Sequence, residues 1–347
     1  MDVAMNPSNV KPSDEASKVN FLRRQMCVTL PTVLSGDVDL ADKTAIVTGG
    51  NAGLGFQCCV QLVDLGLGRL VIAARNEAKG QAAKEELCAR KHTKTTIEVW
   101  WLDLGSYDSV QAFVERVKTL DGVDMIVQSA AMFGVDFKVN DKTKHEEMVQ
   151  VNYLSNALLT ILLLPVLRAK KRAGKPATRI AWVNSETAAW AQFKERSGES
   201  ILAELDKPGG FEYLERYCTS KLLCQLFVVE LCRRVSASTA VVVLVNPGFC
   251  WGSRLHRDVG GVVGGVLAVV KRIIGRSPEE GARTLTDAVV RHGDEVHGQY
   301  LGDCKLKPMA PLVYQAEGAK IAEALWAETM AELEFAHVEE VLAGVGE

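Results

Sequence analysis

Short apolar runs alternate with stretches of helical apolar spacing along most of this chain. Lys43-Thr44-Ala45-Ile46-Val47-Thr48 is rich in β-branched residues and predicts a buried strand. Phe56 to Leu65 carries apolar residues at helical spacing and predicts a helix packed against it. The strand pattern returns at Arg69–Ala74, Thr96–Leu102 and Gly122–Val127. Strands and helices in alternation predict α/β architecture, a single mostly parallel, doubly wound sheet with helices on both faces. Its length of 347 residues fits one large domain with appendages. The catalytic domain is expected over 41–312, a partly disordered N-terminal arm over 1–40, and a helical C-terminal cover over 313–347.

Two further patterns refine this picture. Ala157 to Leu164 is continuously apolar and meets Pro165, which predicts a buried helix too short to span a bilayer. That helix is also a candidate homodimer face. In the arm, Met1–Asn20 is polar, Phe21–Met26 predicts a short helix, and Leu30-Pro31 breaks it.

Composition narrows the partners. A formal charge of −3 points to neither nucleic acid nor an anionic membrane. The six histidines do not cluster, so no metal site is expected. Nine scattered cysteines, no Cys-x-x-Cys and no secretory apolar segment predict reduced thiols and a cytoplasmic location.

Candidate chemistry begins after the first strand. Gly49, Asn51, Gly53, Leu54 and Gly55 turn the chain into a helix. Strand, glycine turn and helix N-terminus together present backbone N–H groups to a pyrophosphate. The same residues could form an ordinary tight turn. After the second strand come Arg75 and Asn76, where an acidic residue would accept a ribose 2′-hydroxyl. An arginine there suits a 2′-phosphate, so NADP(H) is expected over NAD(H); the alternative is a solvated strand end. Asp103, followed by Leu104, could accept from an adenine amine or cap the helix starting near Ser106. Ser129-Ala130-Ala131 ends the fourth strand with small residues that would let backbone lie against a nicotinamide ribose.

Tyr217 and Lys221 are four residues apart and share a helix face. A free phenol has a pKa of about 10, too high for easy proton release at neutral pH. A neighbouring ammonium is expected to lower it and make Tyr217 an acid/base.

Taken in order, these residues resemble the short-chain dehydrogenase/reductases. The matching elements are Thr-Gly-x-x-x-Gly-Leu-Gly at 48–55, Asp103-Leu104, Asn152, Ser185, Tyr217-x-x-x-Lys221 and Asn246-Pro247-Gly248. The run 279–284 and Gly298-Gln299-Tyr300 resemble the retinol-dehydrogenase-like branch, especially its fungal members. The resemblance implies a Rossmann-type fold in which Ser185, Tyr217, Lys221 and Asn152 form the catalytic set. Ser185 would bond the reacting oxygen and Asn152 would hold a water linking Lys221 to solvent. Lys221 would also bond the nicotinamide ribose, and Pro247 and Gly248 would contact cofactor. Ser129 stands where the family often has asparagine, and Gly252 where it often has threonine or serine.

The polar insert at 194–210 is expected to shape substrate entry. The segment 250–276 is expected to hold a substrate lid, with an interfacial helix or plain core as the alternatives for its apolar run Val259–Val270. The function implied is interconversion of a ketone or aldehyde and an alcohol on an apolar small molecule, and the fungal branch implies a place in secondary-metabolite biosynthesis. An isomerase or dehydratase on the same fold, or a non-catalytic cofactor-binding regulator, is the alternative.

Overall fold

The computed structural model describes residues 4–90, 94–251 and 272–346. One eight-stranded sheet has the order β3-β2-β1-β4-β5-β6-β7-β8. Its strands are β1 (Thr44–Thr48), β2 (Arg69–Ala74), β3 (Thr96–Trp101), β4 (Met125–Gln128), β5 (Thr178–Val183), β6 (Ala240–Asn246), β7 (Tyr300–Gly302) and β8 (Lys305–Lys307). All neighbours pair in parallel except β7 with β8. Thr48 at the end of β1 is level with Ala73 of β2 and Gln128 of β4. The chain winds outward from β1 to β3, then restarts at β4 on the other side. That reversal opens a crevice at the carboxyl ends of β1 and β4.

The helices are α1 (Pro12–Glu15), α2 (Lys18–Cys27), α3 (Gly53–Asp64), α4 (Glu77–Cys88), α5 (Tyr107–Val117), α6 (Glu147–Val149) and α7 (Ser155–Ala169). They continue as α8 (Ile201–Leu205), α9 (Tyr213–Arg234), α10 (Pro278–Val290), α11 (Ala316–Glu332) and α12 (Val338–Ala343). Alternate strand residues feed two cores. Ile46, Val71, Ile126 and Ile180 pack with Phe113 of α5, Leu158 of α7 and Leu223 of α9. Ala45, Val47, Leu70 and Val127 pack with Leu62 of α3, Ala83 of α4 and Leu285 of α10. Burying a large aliphatic side chain contributes about 1.5–3 kcal/mol, so both strand faces are held in register.

Several expectations change. Pro165 lies inside α7 instead of ending it. A helical run from Glu147 to Ala169, with a wide π turn at Gln150–Leu154, is long and apolar enough to cross a membrane by length and composition. It is mostly buried in this chain's own core, with Leu158, Leu159, Ile161 and Leu164 fully covered, so packing outweighs the proline's missing donor. The same burial removes it as a homodimer face. The arm carries α1 and α2 in place of a polar tail with one short helix. The C-terminal cover is two helices, separated where His337 takes a left-handed φ of 51°. The insert contains α8, whose first turn is capped by Ser200 and by Glu328 of α11, which accepts from the backbone of Ile201 and Leu202. The apolar run 259–270, Gly252 and most of the expected lid lie outside the described residues.

Candidate active site

The glycine turn is shaped by close backbone approach. Gly49 has φ 66° and Gly53 has φ 54°, a region that favours glycine. A Cβ on Gly55 would sit 2.6 Å from the Gly49 carbonyl oxygen, so the turn closes only without a side chain. Ala52 caps α3 and offers no side-chain acceptor, which leaves the first-turn N–H groups facing outward with the positive helix end. Asn51 and Leu54 flank this cradle, half-buried. The backbone of Ala130, beyond β4, donates to Thr48 Oγ1 at 3.1 Å and braces the turn from the other side of the crevice. Ser129 lies beside it, half-buried. A pyrophosphate fits this cradle of open N–H groups.

Arg75 stands exposed just past β2 and makes no hydrogen bond or ion pair among the described residues. Asn76 has a structural task, since its side chain accepts from Lys79 N at 2.9 Å and caps α4. Asp103 neither caps α5 nor stands idle. Its carboxylate accepts from Gly105 N at 3.0 Å in a local turn, while Ser106 occupies the cap position. Leu104 is buried beneath. At the end of β6, Gly248 has φ 76° and donates its N–H to Asn246 Oδ1 at 2.9 Å; Pro247 precedes it, buried.

The structure brings Ser185, Tyr217 and Lys221 together between the end of β5 and α9. Ser185 is held by Thr187, whose N–H and hydroxyl both donate to Ser185 Oγ, at 3.2 and 3.0 Å. Tyr217 is nearly covered, with Ser185 close enough to oppose part of its shift. Lys221 is 2% exposed; its ammonium donates to the Val183 carbonyl at 3.0 Å and lies 5.7 Å from the Tyr217 ring centre. Burial pushes the phenol above its ordinary value, with Cys218 and Cys224 adding to the rise and Ser185 opposing it. Burial also pushes the Lys221 ammonium down, against Cys224. The expected lowering of the phenol is therefore reversed. Loss of hydration outweighs an ammonium that is itself desolvated and spends its bond on a carbonyl.

Asn152 sits in the π turn, fully buried. Its amide accepts from Met132 N at 2.8 Å and donates to Met132 O at 3.0 Å and to Ser220 Oγ at 3.1 Å. The side chain is thus a clamp on the segment after β4, with both amide N–H donors spent and one lone pair of Oδ1 still open. Its backbone carbonyl faces α9 and accepts from Cys224 Sγ at 3.4 Å.

Two positioning residues escape a reading by motif. Asn184, next to Ser185, donates to the Lys221 carbonyl at 3.0 Å and accepts from Gln225 Nε2 at 3.1 Å. Together they pin α9 to the end of β5. Gln225 lies one turn beyond Lys221 on an otherwise apolar stretch, a detectable signal because a buried amide needs partners. Around Tyr217 lies an apolar patch of Phe133, Met132, Val135 and Phe211. Phe133 and Tyr217 ring centres are 5.3 Å apart. Among the described residues no group of histidine, cysteine and acidic side chains could hold a metal ion.

Comparison with known proteins agrees with this geometry. A family model described as short chain dehydrogenase matches residues 43–194. The chain is 44% identical over 340 residues to the short-chain dehydrogenase fogG of Aspergillus ruber, covering 96% of this chain and 97% of that protein. It is 42% identical over 307 residues to the short chain dehydrogenase/reductase mfmJ of Annulohypoxylon moriforme, covering 88% and 89%. Among solved structures, the Pseudomonas aeruginosa RhlG/NADP active-site complex superposes with a TM-score of 0.58 at 20% identity, covering 80% of this chain and 98% of that one. An uncharacterized protein from Mycobacterium Paratuberculosis gives 0.61 at 23%, covering 88% and 98%. At those identities the structural likeness is one of fold.

Proposed function

This chain belongs to the short-chain dehydrogenase/reductase family, and on that premise we propose that it is an NADP(H)-dependent oxidoreductase. It interconverts a ketone or aldehyde and an alcohol on an apolar small molecule. The observation that carries this reading is the convergence of Ser185, just past β5, with buried Tyr217 and Lys221 on α9, the ammonium 5.7 Å from the phenol ring centre.

The cradle at 49–55 would hold the pyrophosphate, Arg75 the 2′-phosphate, and Lys221 the ribose. When bound, the nicotinamide supplies or accepts a hydride. The protein's own groups manage the oxygen and its proton. Ser185 donates a hydrogen bond to the reacting oxygen and steadies its developing charge. Tyr217, kept neutral by burial, donates its proton to that oxygen in reduction. In oxidation it must first lose that proton, which burial resists. The arrangement therefore favours reduction at neutral pH. Phe133, Met132, Val135 and Phe211 around the phenol support an apolar substrate. The same proposal includes a cytoplasmic location, supported by cysteines that form no disulfide among the described residues, and a place in fungal secondary metabolism, suggested by its fungal relatives.

The test is NADPH oxidation by the purified chain against a panel of apolar ketones and aldehydes. Turnover with a defined alcohol product is expected. Tight NADPH binding with no carbonyl or alcohol conversion on the panel would overturn the reading in favour of isomerase or regulatory use of the fold.

A further inference from the structure

The N-terminal helix α2 is built inside out. Val19 and Met26 are 76% and 64% exposed, whereas Arg24 and Gln25 face inward. Hydrophobic burial alone therefore does not account for its docking. Its inward side chains reach instead for two loops that flank the catalytic groups.

The first loop follows β5. Arg24 Nη2 donates to Glu186 Oε2 at 2.7 Å, and Glu186 directly follows Ser185. Arg24 also pairs with Glu15 at 3.2 Å and approaches Asp303 at 3.8 Å. Trp190, at the far end of the same loop, donates its indole N–H to the Ala16 carbonyl at 3.0 Å. The second loop follows β6. Gln25 accepts from Phe249 N at 3.1 Å and donates to Phe249 O at 2.8 Å and Ile274 O at 3.3 Å. A Cβ on Gly248 would meet Gln25 Oε1 at 2.5 Å, so this docking relies on a glycine beside Pro247. Phe21 bridges the two loops, its ring centre 5.4 Å from that of Trp190 and 6.3 Å from that of Phe249.

We infer that α2 is a positioning element of the active site, with Arg24 ordering the Ser185 loop through Glu186 and Gln25 ordering the loop after Pro247-Gly248. Phe21 joins the two loops into one wall. Arg24 and Gln25 touch no reacting atom; they act through Glu186 and Phe249. A paired charge and an amide that makes three hydrogen bonds are directional, so they specify where the loops sit as well as that they are covered. The consequence for catalysis rests on the oxidoreductase reading above, while the ordering of the loops does not.

The experiment is hydrogen exchange on the full chain, comparing the unmodified protein with Arg24→Gln, Gln25→Ala and the conservative Arg24→Lys. Arg24→Gln should speed exchange across 185–191, and Gln25→Ala across 248–251, by about tenfold or more. In Arg24→Gln, exchange at the glycine turn, 48–56, and the dissociation constant for NADPH should stay unchanged. On a ketone turned over by the unmodified chain, Arg24→Gln should lower kcat about tenfold, with Arg24→Lys restoring most of it. Exchange at both loops within twofold of the unmodified protein would overturn the inference. So would a rise spread evenly over the whole chain, which would mark α2 as a general stabiliser. If no carbonyl is turned over, the oxidoreductase reading fails, and the exchange results still decide whether α2 orders the loops.

Discussion

The ammonium of Lys221 donates to the carbonyl of Val183 at 3.0 Å and lies 5.7 Å from the ring centre of Tyr217. Both ionisable groups are buried, and burial disfavours each charged form. A phenol in that setting remains a proton donor across the neutral range. NADPH-dependent reduction should therefore hold level from about pH 6 to about pH 9, and oxidation should climb with pH over the same span. A reduction rate already halved at about pH 7 would mean that the phenol ionises where burial does not allow it.

Replacing Tyr217 with Phe keeps the ring and its contact with Phe133 but removes the transferable proton. Turnover should fall by about 10²-fold or more while NADPH binding survives. Lys221→Met should weaken both binding and turnover, because it removes the ammonium that bonds Val183 and would bond the ribose. Near-normal turnover by Tyr217→Phe would remove this residue from the mechanism.

Arg75 is exposed and has no partner among the described residues, so its charge is available to a ligand. A charge-assisted contact with a 2′-phosphate is worth about 1.5–3 kcal/mol. Arg75→Asp should weaken NADPH binding by about 10- to 100-fold and leave NADH binding little changed or improved. Calorimetric titration with both cofactors checks this, and equal affinities in the unmodified protein would refute it.

Gly55 tests the cradle without touching the catalytic groups. Its added Cβ would lie 2.6 Å from the Gly49 carbonyl oxygen, which is backbone and cannot swing aside. Gly55→Ala should open the turn and reduce NADPH affinity by about tenfold or more, while the hydrogen bond between Asn184 and Lys221 persists. Unchanged affinity would show that the turn does not seat the cofactor.

His145 ties the insert to the C-terminal cover, with Asp206 at 2.7 Å and Glu332 at 3.1 Å. Burial opposes its charge, but the two carboxylates outweigh burial and push the imidazole up to about 9. The folded value is thus raised above the ordinary 6.5, so the associated stability is full below about pH 6.5 and is lost as pH rises through about 9. The loss should amount to at most about 3 kcal/mol. Urea unfolding of the unmodified chain and His145→Gln checks it by difference, which cancels other titrating groups such as Glu146. Parallel stability curves for the two proteins between those pH values would exclude the latch.

Local pattern carried much of this protein. The run Thr44–Thr48 is rich in β-branched residues and followed by glycines, so strand and turn follow from backbone sterics within a few residues. The same holds for Arg75 at the close of β2, and for the four-residue spacing that puts Tyr217 and Lys221 on one helix face. Only tertiary structure decided the rest. The fate of Pro165 depended on neighbours that bury α7, and the task of Asn152 on Met132, brought beside it from the end of β4. The bond between Arg24 and Glu186 joins residues 162 apart in the chain, beyond any local spacing. The direction of the Tyr217 shift depends on how much water the whole fold excludes from the phenol. Sterics act between chain neighbours and can be read along a sequence, whereas desolvation sums over every element packed around a group and exists only once the chain has folded.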